Sequence, residues 1–201
     1  ICRRDGRRAC RSWLTSLLMG YTEGEAESYM RETVEEALRE PFSTDRIGAH
    51  AGDEKPVPMP RGLRRTPAMQ ELVRELLDLG FDVWALSASN QWVAEAMATR
   101  YGIDPSRVIG MRPRVLNRRL QPDVVDPLPV GPGTTESVIL FVGRHPDLVV
   151  APPEDVELLE HGKGLRVAMD RGDERFAARA KERGWLLQPE LPHAEAETGS
   201  E

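Results

Sequence analysis

Cysteine is scarce in this chain: Cys2 and Cys10 are the only two among 201 residues. They form no CxxC pair and have no histidine cluster beside them, which excludes a zinc site of the usual spacings. No apolar run approaches the roughly 18 residues of a membrane span, and the start carries no hydrophobic signal core. The expectation is a soluble, cytoplasmic protein without a membrane partner. Ile1 rather than Met stands first, so the translated chain is read as starting further upstream, where a signal peptide could lie. An excess of positive charge is also missing. With 27 basic against 33 acidic residues the net charge is −6, which argues against a dedicated nucleic-acid binder, because duplex contact needs Lys and Arg in excess on one face. No G-x-G-x-x-G follows a strand, and Gly131-Pro132-Gly133 comes after a proline-rich loop instead, which disfavours a dinucleotide-binding module.

The hydrophobic fraction of 40% supports a real core in one domain plus an appendage. Residues 1–42 read as a helical segment. Trp13, Leu14, Leu17 and Leu18 end at Gly20, then Thr22 and Glu25 form a capping-box pair ahead of Tyr29, Met30, Val34, Ala37 and Leu38 at helical spacing. The two stretches predict an antiparallel helix pair over 9–39, stopped by Pro41. Residues 43–62, rich in Gly, Pro and charge, lack periodicity and read as a linker.

From residue 63 to 189 the pattern alternates between helix and strand. Thr66-Pro67 opens a helix whose apolar face is Met69, Leu72, Val73, Leu76 and Leu77, closed by Gly80. A strand over 81–86 runs into Ser87-Ala88-Ser89-Asn90, a helix follows over 91–101, and a β-rich piece spans 107–115. The second half offers helices over 135–142, 154–160 and 173–183 and strands over 148–151, 165–169 and 185–187. Such alternation predicts an α/β fold with a parallel sheet covered by helices. Residues 190–201 are polar and read as a frayed tail. Core packing is expected for Trp84 and Trp185, and a place near a pocket mouth for Trp92.

Ligands of an open parallel sheet bind beyond the carboxyl ends of its strands. Leu86-Ser87-Ala88-Ser89-Asn90 is the sharpest candidate there, since a hydroxyl and several free amides meet a helix start, with Ser89 or Asn90 also read as an N-cap. The run Arg61–Met69, the segment Leu86–Ser89 and Tyr101-Gly102-Ile103-Asp104-Pro105-Ser106-Arg107-Val108-Ile109-Gly110 resemble the second motif region of haloacid-dehalogenase phosphatases. Gly143–Leu148, Met169–Asp173 and Glu182–Pro189 extend the likeness over about residues 60–190. It is closest to the phosphoserine- and phosphocholine-phosphatase-like branch, and the helix pair stands where that branch carries its cap.

This resemblance implies a Rossmann-like core with a small helical cap, a Mg²⁺ cofactor and covalent phosphoryl transfer from a small phosphorylated metabolite. It implies Ser87, Ala88, Ser89 and Thr134 as phosphate-binding residues and Asp155 as a metal ligand. The catalytic elements depart from the family pattern. The nucleophile motif DxDx(T/V) is absent; Asp5 is the nearest candidate, surrounded by Arg3, Arg4, Arg7 and Arg8 as in a solvated charge run, and the motif would belong ahead of Ile1. Thr134 stands where a Lys is expected, and a hydroxyl cannot supply its charge. Lys163 reads as an exposed loop charge. The last motif aligns with Val150-Ala151-Pro152-Pro153-Glu154-Asp155, so Ala151 replaces a metal-binding Asp and only Asp155 remains. Asp155 also suits the first turn of a helix. The sequence therefore supports two readings, an impaired hydrolase of this class or a non-catalytic descendant that binds phosphate or a protein.

Overall fold

The computed structural model describes residues 2–48 and 56–195, with side chains from residue 4 onward. Seven α-helices and nine strands among them make an α/β fold. Helix α1 (Cys2–Ser16) is interrupted at Gly6, whose φ of 84° is left-handed, and α2 (Glu23–Arg39) follows a short turn. Thr22 and Glu25 close the expected capping box, each side chain bonding the other's backbone N–H, which satisfies two donors that a helix start leaves open. The pair is less of an appendage than its sequence implied. Gly20 and Tyr21 exchange bonds with Leu120 of the strand β6 (Arg119–Val124), Gly20 N–H donating to Leu120 O and Leu120 N–H to Tyr21 O. Leu18, Ala26 and Leu120 then form a small core with Met30 and Trp92. Trp13, Leu14 and Leu17 remain exposed.

The segment read as a linker is partly built. β1 (Ser43–Ile47) and β2 (Val57–Arg61) pair antiparallel, from Ser43 opposite Arg61 to Ile47 opposite Val57. Every residue of both strands is exposed, so no alternation of apolar and polar residues betrays them. Pro58 and Pro60 are tolerated because a two-stranded ribbon leaves one edge of each strand without a ladder to join. Residues 49–55 lie outside the described residues, as do 196–201 of the expected tail.

Helix α3 (Pro67–Asp78) starts with Pro67 in its first turn and leads to β3 (Ala85–Asn90). The strand thus begins four residues later than its apolar run suggested and carries Ser87 to Asn90 within it, because its ladder is set by pairing with β4 (Val108–Met111) rather than by hydropathy. Between them lies α4 (Gln91–Thr99). Strand β5 (Pro113–Leu116) turns back into β6 as an antiparallel hairpin, and the expected β-rich piece divides into β4 and β5. The expected helix over 135–142 is α5 (Pro132–Ser137) continued as a π-type segment, Val138–Val142. Next come β7 (Leu148–Ala151), α6 (Val156–His161), β8 (Leu165–Met169), α7 (Glu174–Glu182) and β9 (Leu186–Gln188).

The parallel sheet is in two pieces among the described residues. β3 pairs with β4 alone, and β7, β8 and β9 form the other piece in that order. Each has its own core: Val73, Ala94, Ala98, Ile103 and Val108 behind the first, and Val149, Ala151, Leu159, Ala168, Phe176, Ala180 and Trp185 behind the second. No described helix is long and apolar enough to cross a membrane.

Candidate functional site

A cavity of about 450 Å³ lies between the two pieces of sheet. Ser87 and Ala88 of β3 line it, as do Ala151 at the end of β7, Thr134 of α5 and Asp155 beyond β7. Four of the five expected site residues therefore meet. Ser89 does not line the cavity; the register of β3 shifts between Leu86 and Asn90, and Ser89 donates its N–H to the Ser87 hydroxyl at 3.1 Å. Asn90 is the N-cap of α4, its side-chain oxygen accepting from Val93 N–H at 3.0 Å. Of the two readings of the Ser89-Asn90 pair, the capping role thus falls to Asn90.

Thr134 is 2% exposed, and its Oγ1 has no hydrogen-bond partner. A buried hydroxyl without a partner costs on the order of 1–3 kcal/mol, so this oxygen is available to a ligand. Its position is fixed by close backbone packing: a Cβ on Gly133 would fall 2.1 Å from Leu128 O, and only glycine lets α5 press against that segment.

Asp155 is half-buried and paired. Arg7 Nη1 donates to Asp155 Oδ1 at 3.2 Å and to Glu154 O at 2.6 Å. Burial pushes the Asp155 carboxyl above the usual carboxylate range, and the Arg7 charge works against that shift. Asp155 stands just ahead of α6, but its side chain makes no capping bond. Arg7 corrects the reading of the N-terminal arginines as a purely solvated run; Arg8 likewise pairs with Asp126. No sequence signal could have found the Arg7 contact, since its partners are nearly 150 positions away. Asp5 pairs with neighbouring Arg4 on an exposed turn and lies off the cavity.

The magnesium expectation finds little to stand on among the described residues. Mg²⁺ needs several oxygen ligands, yet no cluster of three or more His, Cys, Asp or Glu is present there. Ala151 offers no side-chain oxygen, the Asp155 carboxylate is already held by a guanidinium, and Glu154 pairs with Arg171 at 3.1 Å. The residues present do not fit the ion. Lys163 is exposed and away from the cavity. Arg144 does line it, and so does Asp82, whose carboxyl is held below its ordinary range first by the Trp84 hydrogen bond, then by the Arg107 hydrogen bond and charge, and last by the Arg144 charge.

The tryptophans divide differently from expectation. Trp185 is buried in the second core, as expected. Trp84 lines the cavity with its Nε1 bonded to Asp82. Trp92 packs instead against the Leu18, Ala26 and Leu120 cluster, because helix α2 covers that face of α4.

No protein-family model matches this sequence, and no curated protein does either. Several solved structures share its fold, two of them as follows. A conserved, functionally unknown protein from Anaerococcus prevotii DSM 20548 aligns with a TM-score of 0.74 at 18% identity, covering 88% of this chain and 52% of its own. A protein of unknown function from Bordetella pertussis Tohama I aligns with a TM-score of 0.64 at 16% identity, covering 90% of this chain and 73% of its own. This chain spans about half the length of the first.

Proposed function

We propose that this chain is the Rossmann-like body of a haloacid-dehalogenase-type phosphatase fold, that its cavity holds the phosphoryl group of a small phosphorylated metabolite, and that the chain by itself does not hydrolyse it. The observation that carries this reading is the convergence of Ser87, Thr134 and Asp155 on one cavity between β3 and β7, and the family resemblance implies a phosphate beside these residues. The unpartnered Thr134 hydroxyl supports it. Arg7 stands beside Asp155 and offsets the charge of that carboxylate. Hydrolysis is a separate matter: the sequence carries no DxDx(T/V) motif, no group of three or more metal-ligating side chains is present among the described residues, and hydroxyls alone do not stabilise a transferring phosphoryl group.

The test is a titration of the chain with inorganic phosphate and phosphoserine, followed by NMR, beside a phosphate-release assay with and without Mg²⁺. Saturable binding that weakens about tenfold in Thr134→Val, as loss of one hydrogen bond predicts, with no release of phosphate, is the expected result. Mg²⁺-dependent turnover would refute the non-catalytic half of the reading. Shifts that ignore both Thr134→Val and Ser87→Ala would refute the phosphate pocket.

A further inference from the structure

The hairpin of β5 and β6 carries charge of one sign. Residues 112–121 hold four arginines and no acidic residue, in a chain whose net charge is −6. Arg119 is used inside the molecule, where it bonds Gly20 O and pairs with Glu25. Arg112, Arg114 and Arg118 form no ion pair among the described residues. Side chains alternate between the two faces of a strand, and β5 keeps that alternation because its register irregularity falls on β6, where Leu120 to Val124 oppose Val115 to Pro113. Pro113 is buried, and Val115 stands opposite the buried Leu120. Arg112, Arg114 and Leu116 therefore share the other face.

That face continues onto the next element. Arg112 lays its guanidinium over the Phe141 ring, 5.7 Å from the centroid. Phe141 belongs to the π-type segment Val138–Val142, whose two end residues line the cavity, so Ile139, Leu140 and Phe141 point away from it. Leu116, Ile139 and Leu140 are each more than half exposed. Single exposed apolar residues need no explanation, but a patch of them set among arginines marks an interaction surface. The turn adds an independent observation. Asn117 and Arg118 both have positive φ, 50° and 61°, as in the two-residue hairpin turn that favours glycine at its second position. An arginine is thus held at the hairpin tip against a backbone preference, and such strain gathers where function calls for a particular group.

We propose that this face docks on the surface of an anionic lipid bilayer, with Arg112, Arg114 and Arg118 against the headgroups and Leu116, Ile139 and Leu140 dipping into the interface. No described helix is long and apolar enough to cross a membrane, and docking of this kind needs none. The chemistry of the face selects the occupant. A nucleic acid would match the arginines but leave the aliphatic side chains in water, and it binds best where aromatic rings are free to stack; Phe141 is already covered by Arg112. A protein partner seats its anchoring side chains in pockets, and neither the large cavity nor the groove beside Trp13 is lined by any residue of this face. A strand added to the edge of β5 would meet Pro113, which has no N–H to donate. A bilayer needs neither pocket nor ladder. The proposal concerns the outer side of the Val138–Val142 segment and does not rest on the phosphate reading.

The test is co-sedimentation of the chain with vesicles of phosphatidylcholine alone and of phosphatidylcholine mixed with phosphatidylserine, at low and near-physiological salt. The expected result is binding to the mixed vesicles only, weakening as salt rises. Near an anionic surface each arginine strengthens binding about fivefold, so Arg112→Gln, Arg114→Gln and Arg118→Gly combined should weaken it about a hundredfold. Leu140→Ser should weaken it about tenfold. Arg118→Gly by itself separates docking from folding: it relieves the turn, so the thermal midpoint rises while vesicle binding falls about fivefold. Binding to both kinds of vesicle alike, or to neither, overturns the proposal. So does a combined variant that keeps its circular dichroism spectrum and binds as before. Competition by inorganic phosphate at constant ionic strength would move the headgroup into the cavity and overturn it too, as would a dimer in light scattering that Leu140→Ser dissociates, which gives the face to a second copy. A cavity that ignores phosphate in the titration leaves the vesicle result unchanged.

Discussion

The two pieces of parallel sheet are held by different means. In the piece made of β7, β8 and β9 the interior is a matter of volume: Ala151, Ala168 and Ala180 are almost fully buried against Leu159, Phe176 and Trp185, so small and large side chains interlock. In the piece made of β3 and β4 a buried polar side chain joins helix to strand. Gln91, at the start of α4, accepts from Gly110 N–H at 2.7 Å and donates to Val108 O at 3.0 Å. A Cβ on Gly110 would lie 2.6 Å from the Gln91 Cα, so helix and strand meet backbone to backbone. The difference teaches that each piece has its own reason to be ordered, and that neither draws on strand pairing with the other.

That comparison can be broken at its strongest point. Leu159→Ala removes a fully buried side chain and should cost about 3 kcal/mol, read by urea unfolding. If the pieces are independently packed, amide exchange should accelerate in β7 to β9 and leave β3 and β4 nearly unchanged; equal acceleration in both would refute the division. Gln91→Leu keeps the bulk and leaves Gly110 N–H and Val108 C=O unmatched, at a cost of about 2 kcal/mol, with exchange now faster in β4. A loss much below that value would mean the polar latch contributes little.

Smaller effects sharpen the picture. Thr22→Ala removes the capping box of α2 and should cost about 1 kcal/mol, seen in the thermal midpoint and in fraying of the first turn of α2. A pH titration then probes the β7 side alone. His161 packs against His145 with ring centroids 4.3 Å apart and the planes tilted by 33°, and burial, then the His145 and Lys163 charges, lower its pKa. The folded state thus binds this proton less readily than the unfolded chain does. Stability contributed by neutral His161 is complete above the unfolded value near 6.5 and is lost as pH falls below it. His161→Gln should flatten the stability profile in that window, and an unchanged slope would move the cause elsewhere.

Much of the element order was legible because it rests on local signals. The Thr22 capping box, Pro67 opening α3, and the strands at 148–151 and 165–169 follow from neighbours within a turn or an alternation of the chain. The β1–β2 ribbon was not legible, since its residues are all exposed and only backbone pairing defines them. The start of β3 was misread because apolar Phe81 to Trp84 looked more strand-like than Ser87 to Asn90, and the ladder with β4 outweighed that preference.

For the candidate site the division is sharper. Which hydroxyls and carboxylates are candidates, and that Thr134 cannot supply a cation nor Ala151 a metal ligand, were fixed by residue identity alone, whereas Ser87 lies within β3 and not at its end. That Ser87, Thr134 and Asp155 share one cavity, that Arg7 already occupies Asp155, and that β3 and β7 face each other across an apolar space were decided only by tertiary structure. The reason is physical. Propensity and capping act over a few residues, while the pairing of Arg7 with Asp155 and the separation of two strand edges depend on how whole helices and sheets pack, and no local pattern encodes that distance.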